Sequence, residues 1–405
     1  MDSGRTPTLG RPGTRPSTRP APRLLAALAF ALAILLGACS APTLPRLPSL
    51  AGPPSPAGRS GSVQAFVPQA VRFVQARRGL AFKHPVKVQE LGDAAFVRRV
   101  VAVQRRDRSD TRRQAQVLRA LGLVPAGVDV ERAEEQLVGD AVVGYYDPKT
   151  KELAVRGTAA TPEVRHVVVH ELTHALQDQW FDLAGHQRSL DDDASAAYSA
   201  LVEGDAVRVE REYVATLSDA DQRQISAGEA GGAPPASIPR ALVQELAFPY
   251  AVGPPFVQAV LQAGGEAALD QAFLKPPAAT SLVIHPDRYL SGEAPQAVAD
   301  PPADGTPFDH GSIGELGLDL LLQGTVQSGA LTAGQASTAL QSWSGDRYVA
   351  WTSGSRSCVR ARFAVPASGA APLATALQRW ASRHPGASAT PGSASGEGPT
   401  LTSCG

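Results

Sequence analysis

In the run VVVHELTHALQDQ, His170 and His174 stand four residues apart and Glu171 directly follows the first of them. On an α-helix, residues at that spacing lie about 40° apart around the axis and one turn apart along it, so both imidazoles can converge on one ion. Glu171 falls about 100° round, where its carboxylate can reach a water on that ion without taking a coordination position. Zinc suits such a pair of imidazoles: it lowers the pKa of a water to roughly 7, and a neighbouring carboxylate can accept the proton as the water attacks a carbonyl. The chemistry these residues point to is metal-assisted hydrolysis, with Zn2+ as cofactor.

His166 extends the ladder at four-residue spacing. A pair made of His166 and His170 would have Val167 where the base should stand, so His166 reads as a surface or supporting residue. The third ligand has to come from elsewhere. A histidine six residues after His174 would complete one common pattern, but position 180 is Trp and position 177 is Gln. Downstream, ASAAYSALVEGDAVRVEREYVATL reads as a second helix, opened by Asp191, Asp192 and Asp193, which suit its positive N-terminal end. Glu203 lies in the mostly apolar half of that helix, 29 residues beyond His174 (203 − 174), among Leu201, Val202, Ala206 and Val207. A buried carboxylate needs a partner or a metal, which makes Glu203 the candidate third ligand.

The elements that position these residues are legible around them. Thr161 and Pro162 suit the N-cap and first position of a helix beginning near Glu163. Val167, Val168, Val169, Leu172 and Leu176 give it apolar faces to bury, as a precise metal site requires. Upstream, VVGYYD and ELAVR read as two strands joined by a tight turn through Pro148, Lys149, Thr150 and Lys151. An ordinary hairpin with no part in binding a substrate is almost equally compatible with that stretch.

On these residues the chain resembles the gluzincin clan of metallopeptidases, to which thermolysin belongs, where a glutamate on the next helix completes HExxH. In HELTHALQD the likeness to the thermolysin helix extends to Asp178. The resemblance implies that His170, His174 and Glu203 bind zinc, that Glu171 is the general base, and that the substrate is a peptide or protein. It departs where the clan carries an Asn before the ligand glutamate and an Asp four residues after it, since Val202 and Val207 stand there. Support for the histidines must then come from other residues, such as Asp205 or Glu210, although Glu210 also reads as a surface charge. In zincins the strand just before this helix forms a sheet edge to which an extended peptide can add. Zinc peptidases also place a His, Tyr or Arg opposite the metal to stabilise the oxyanion. His285 is the first candidate for that role, with Tyr289 and Tyr250 beside it, and each also reads as structural. The order of further segments is similar to that of a group of secreted or lipid-anchored bacterial zinc peptidases: GYYDPKTKELAVRG, ALVEGDA, FPYAVGPPFV, PPAATSLVIHPDRYL and WSGDRYVAW, over roughly residues 65–365.

The expected fold class is α+β: a zincin catalytic domain with a small twisted sheet and the active-site helix, a mainly helical second lobe, and a small C-terminal α+β cap. The boundaries read as 63–225 for the catalytic domain, 238–342 for the helical lobe and 343–405 for the cap and tail. SAGEAGGAPPAS, residues 226–237, reads as a flexible connection. Residues 1–38 read as a signal peptide: five arginines and one aspartate precede a 13-residue apolar run, Leu24 to Leu36. At 1.5 Å per residue that run spans about 20 Å, short of the roughly 30 Å of a membrane core. Leu36-Gly37-Ala38-Cys39 resembles the bacterial lipoprotein cleavage site, which implies lipidation of Cys39, a tether over residues 39–62 and an extracytoplasmic, membrane-anchored protein. A simple secretory signal is the alternative. Cys358 and Cys404 then remain as an even pair in an oxidising compartment, expected as a disulfide, with two reduced thiols as the alternative. The chain carries 38 basic and 38 acidic residues, and loss of residues 1–38 leaves 33 against 37. No basic run survives that loss, so nucleic acid is not an expected partner. Two other function classes fit the motif: a non-catalytic binding lipoprotein on the same fold, and a zinc amidase acting on non-peptide amides of the cell envelope. Intact Glu171 argues against the first.

Overall fold

In a computed structural model, which describes residues 61–105, 108–139, 142–229, 235–366, 370–392 and 398–405, the chain is a mixed α+β protein. The signal segment, most of the tether and Cys39 lie outside the described residues. The elements in order are α1 (Val63–Arg78), β1 (Lys87–Leu91), α2 (Asp93–Arg105), α3 (Arg108–Ala120), α4 (Val130–Gly139), β2 (Gly144–Asp147), β3 (Glu152–Arg156), α5 (Pro162–Phe181), α6 (Leu183–Gln187), α7 (Asp192–Val214), α8 (Asp219–Glu229) and α9 (Arg240–Leu274). They continue with α10 (Thr280–Ile284), α11 (Pro286–Leu290), β4 (Thr306–Gly311), α12 (Gly314–Gln327), α13 (Ala333–Gln341), β5 (Gly345–Ser353), β6 (Arg356–Ala364), α14 (Ala370–Ala381), β7 (Ser388–Thr390) and β8 (Thr400–Cys404). No helix among the described residues is long and apolar enough to cross a membrane.

The first sheet has the order β1-β3-β2, with β1 parallel and β2 antiparallel to β3. The strand just before α5 is therefore central, which corrects the expectation that it forms the sheet edge. β1 returns on its far side, and the edge facing α5 is β2. Gly144 allows that approach, since a Cβ there would stand 2.8 Å from Val167 Cγ1. Helix α5 is capped by Thr161, whose side chain accepts from Val164 N, and Pro162 occupies its first turn. Val167, Val168, Val169, Leu172 and Leu176 are all fully buried, so this helix is core on nearly every side. Asp191 caps α7 by accepting from Ala194 N at 3.1 Å.

Helix α7 lies between α5 and α9, and its contact with α9 is backbone on backbone. A Cβ on Gly204 would stand 2.4 Å from Gly253 carbonyl atoms, and one on Gly253 would stand 2.1 Å from Ala200 O. Only two glycines let the helices meet this closely. Helix α9 carries Pro249, Pro254 and Pro255 and is broken at Gly264 and Gly265, the latter at φ 67°. Each proline removes one ladder hydrogen bond, so the helix depends on its packing against α7 more than on its own propensity.

Two stretches differ from the sequence reading. Residues 226–229, expected within the flexible connection, belong to α8. The stretch 238–342, expected to be mainly helical, also contains β4, which pairs with β5 and starts the second sheet, β4-β5-β6-β8-β7. Its sequence TPFDHG has no alternating apolar pattern and pairs through a register shift between Pro307 and Asp309, so no period-2 signal marks it. A disulfide joins Cys358 and Cys404, which face each other across β6 and β8 with Cα atoms 4.0 Å apart. The neighbouring Ser357 and Gly405 exchange both backbone hydrogen bonds, which makes the cysteines a non-hydrogen-bonded pair, the register that brings Cα atoms closest.

The α7–α9 contact is open to a direct test. Gly253→Ala is expected to lower stability in urea unfolding by about 1–3 kcal/mol, the usual penalty of overpacking; an unchanged midpoint would mean that the helices have room to part.

Candidate metal centre

Two facing ladders build the site. On α5, His166, His170 and His174 recur every four residues; on α7, Glu203 and Glu210 are seven apart and so share one face. His170, Glu171, His174 and Glu203 are all fully buried. His170 Nε2 lies 2.9 Å from His174 Nε2 and 3.2 Å from Glu203 Oε2, and His174 Nε2 lies 3.5 Å from the same oxygen.

The far sides of both rings fix which atoms face inward. His170 Nδ1 donates to Glu210 Oε2 at 2.8 Å. Gln177 Nε2 donates to Val202 O at 3.1 Å and to Asp205 Oδ2 at 2.9 Å, which leaves Gln177 Oε1 to accept from His174 Nδ1 at 3.0 Å. With Nδ1–H committed on each ring, both Nε2 lone pairs point at each other and at Glu203. Three converging acceptors repel unless a proton or a cation lies between them. Ligands about 2.0–2.2 Å from a tetrahedral ion stand about 3.3–3.6 Å apart, so the triangle is close to one face of such a site. His170, His174 and Glu203 can hold a metal ion.

The electrostatics agree with that reading. Burial alone would lower the His170 imidazole, but the Glu203 and Glu210 carboxylates raise it to about 10. Burial alone would raise Glu203 and Glu210, yet the histidines hold both below their ordinary value. Glu171 goes the other way: burial pushes it up to about 7, against the pull of His174 and His170. Its Oε2 accepts from Tyr146 N at 2.7 Å, while Oε1 is buried with no hydrogen-bond partner. The Tyr146 N–H on the β2 edge is therefore taken by Glu171, and an added strand could not use it.

The supporting residues are distributed differently from the sequence reading. Glu210 is not a surface charge but 7% exposed, and it joins His170 to His166, whose Nδ1 meets Glu210 Oε1 at 2.6 Å. His166 is 2% exposed, which corrects its surface reading. Asp205 reaches His174 only through Gln177, and it also pairs with Arg78 Nε and Arg208 Nη2, both at 2.9 Å. Asp178 bonds neither ligand histidine. Its Oδ2 accepts from the Tyr146 hydroxyl and from Lys151 Nζ, both at 2.7 Å, so it steadies the strand that holds Glu171. Gln177, which enters the sequence reading only as a position without a histidine, supports His174 because a residue three further on lies on the same face of the helix.

Of the three oxyanion candidates, Tyr250 alone lies at the centre, buried where its phenol feels the Glu203, Glu171 and Glu210 carboxylates. Burial and the surrounding carboxylates push that phenol well above its ordinary value, so it remains a donor. His285, the first candidate, is engaged elsewhere, with Nε2 2.9 Å from Glu315 Oε1. Tyr289 donates to Lys275 O. The Gly204–Gly253 contact brings Tyr250 to Glu203, and nothing in the local sequence around Tyr250 announces it.

No protein-family model, curated protein or solved structure matches the chain.

Two outcomes follow from the geometry. Glu210→Gln is expected to weaken divalent-metal affinity about 10–100-fold, the usual loss when a ligand's supporting partner is removed; chelator competition giving wild-type affinity would contradict the role assigned to Glu210. Because His170 stays protonated through neutral pH when no ion is bound, metal uptake at pH 7.5 should release about one proton. Calorimetry in buffers of different ionisation enthalpy should show it, and a buffer-independent heat would count against it.

Proposed function

We propose that the chain is a zinc-dependent peptidase of the gluzincin type. The observation that carries this reading is Glu171 Oε1, a buried carboxylate oxygen without a partner beside three converged ligand atoms. Two imidazoles and one carboxylate are the donor set of catalytic zinc sites that keep a fourth position open. Zinc held there supplies Lewis acidity, bringing the pKa of water toward about 7 and polarising a carbonyl.

The chain's own residues account for the proton traffic. Tyr146 N–H fixes one oxygen of Glu171 and leaves the other free to take a proton from the attacking water. A carboxylate whose pKa is lifted to about 7 is well matched to accept that proton and then to return it to the leaving amine nitrogen. The Tyr250 hydroxyl supplies a donor for the carbonyl oxygen as charge develops there, the role the sequence assigned first to His285. The Cys358–Cys404 bond supports an oxidising, extracytoplasmic setting, in keeping with a lipid anchor at Cys39.

The variant pair Glu171→Gln and Glu203→Ala separates this reading from a binding protein on the same scaffold. Glu171→Gln should keep its metal and lose peptide hydrolysis on the order of 10²–10⁴-fold, whereas Glu203→Ala should lose the metal itself. Peptide cleavage surviving in Glu171→Gln, or a wild-type protein that takes up zinc but cleaves only non-peptide amides, would overturn the proposal.

A further inference from the structure

A cavity of about 130 Å³ lies between α3, α7, α9 and α12. An apolar cavity of about 150 Å³ takes a benzene, so this one has room for a short alkyl chain with a small head group. Its walls are largely apolar, with Val117, Leu118, Leu121, Ile313 and Leu316 among them. Glu245 Oε2 and Gln114 Oε1 border it without hydrogen-bond partners. Of the five hydroxyls around it, four spend their protons elsewhere: Tyr348 donates to Asp192, Thr280 to Asp193, Ser199 to Ser195 O and Ser312 to Asp191, while Ser195 Oγ accepts from Gln187 Nε2. Among the described residues, no lysine, arginine or histidine lines it. Buried acceptors are normally satisfied, and an apolar chamber with two unsatisfied ones, one of them on a carboxyl group that can ionise, suits a donor-rich cation on an apolar stem.

Its position relates it to the metal centre. Ser195 and Ser199 line the cavity, and Glu203 follows at the next four-residue step of the same face of α7, about 6 Å further along the axis. Pro249 lines it too, directly before Tyr250, whose phenol feels the Glu203 carboxylate. A chain lying across His170, His174 and Glu203 could therefore send one side chain into it.

We propose that this cavity receives the lysine or arginine side chain of a peptide presented to the His170, His174 and Glu203 centre, with Glu245 as the counter-ion. The peptide as carrier rests on the peptidase reading; the recognition of a cation by the cavity does not. Burial holds the Glu245 carboxyl up to about 8, and Glu134 nearby is raised likewise with Glu245 among the causes. An arriving cation would supply a charge partner that neither acid finds among the described residues.

The test uses the full-length protein and two isosteric probes, n-butylguanidinium and neutral n-butylurea, with binding followed by calorimetry. The guanidinium should bind at least tenfold more tightly than the urea, and Glu245→Gln should bring the two within about twofold. Equal binding of both probes to the wild-type protein would overturn the proposal without recourse to any variant, as would an unchanged preference in Glu245→Gln. In parallel, paired peptides with arginine or citrulline at each position should show an arginine preference that Glu245→Gln removes. Peptide cleavage with no arginine preference and no guanidinium binding would overturn the cavity assignment and leave the peptidase reading intact. Guanidinium binding that depends on Glu245, with no peptide cleaved, would overturn the peptidase reading and the peptide as carrier.

Discussion

Three lone pairs buried together, two on imidazole nitrogens and one on a carboxylate, are the constraint on which the rest of this structure depends. His170, His174 and Glu203 are fully buried, and an ionised carboxylate in such surroundings is strongly disfavoured unless a cation faces it. A proton can fill that place, which is why His170 is raised to about 10. A metal ion fills it better, because it satisfies all three atoms at once. Glu171, one position along the helix, is lifted toward neutrality by the same burial and holds one oxygen without a partner.

Around that centre, two chains of contacts fix the rings. One runs from His166 through Glu210 to His170. The other begins at Arg78, at the end of α1, whose side chain is fully buried among Asp205, Glu266 and Asp270, and passes through Asp205 and Gln177 to His174. Removing one member of such a buried network leaves uncompensated charge and commonly costs about 3–5 kcal/mol, so the network holds α1, α7 and α9 as well as the ring. The glycine contact between α7 and α9 then brings Tyr250 to Glu203 and closes the site from a third side.

Much of the centre was legible in the sequence because its information is local. The spacing of His170, Glu171 and His174 fixes their geometry on any helix, and the caps at Thr161 and Asp191 mark where the two helices begin. Glu203 stood out as a carboxylate in an apolar run. What the sequence left open depends on contacts between distant elements. His285 and Tyr250 are alike as polar aromatic candidates, and only the close approach of Gly204 to Gly253 separates them. Glu210 looked like an exposed charge because its partners, His166 and His170, belong to another helix. β4 carries no signal in the sequence, since its pairing with β5 supplies the order that its own residues do not. The placement of β3 between β1 and β2 is topological and leaves no mark on the strand itself.

The most direct measurement is X-ray absorption at the zinc edge, combined with anomalous diffraction, on the protein loaded with one equivalent of zinc. A single ion is expected, coordinated by two imidazole nitrogens and a carboxylate oxygen at about 2.0–2.2 Å, with its anomalous peak between His170, His174 and Glu203. An ion at other residues, or a loaded protein in which these three side chains do not bind it, would contradict the assignment of the centre.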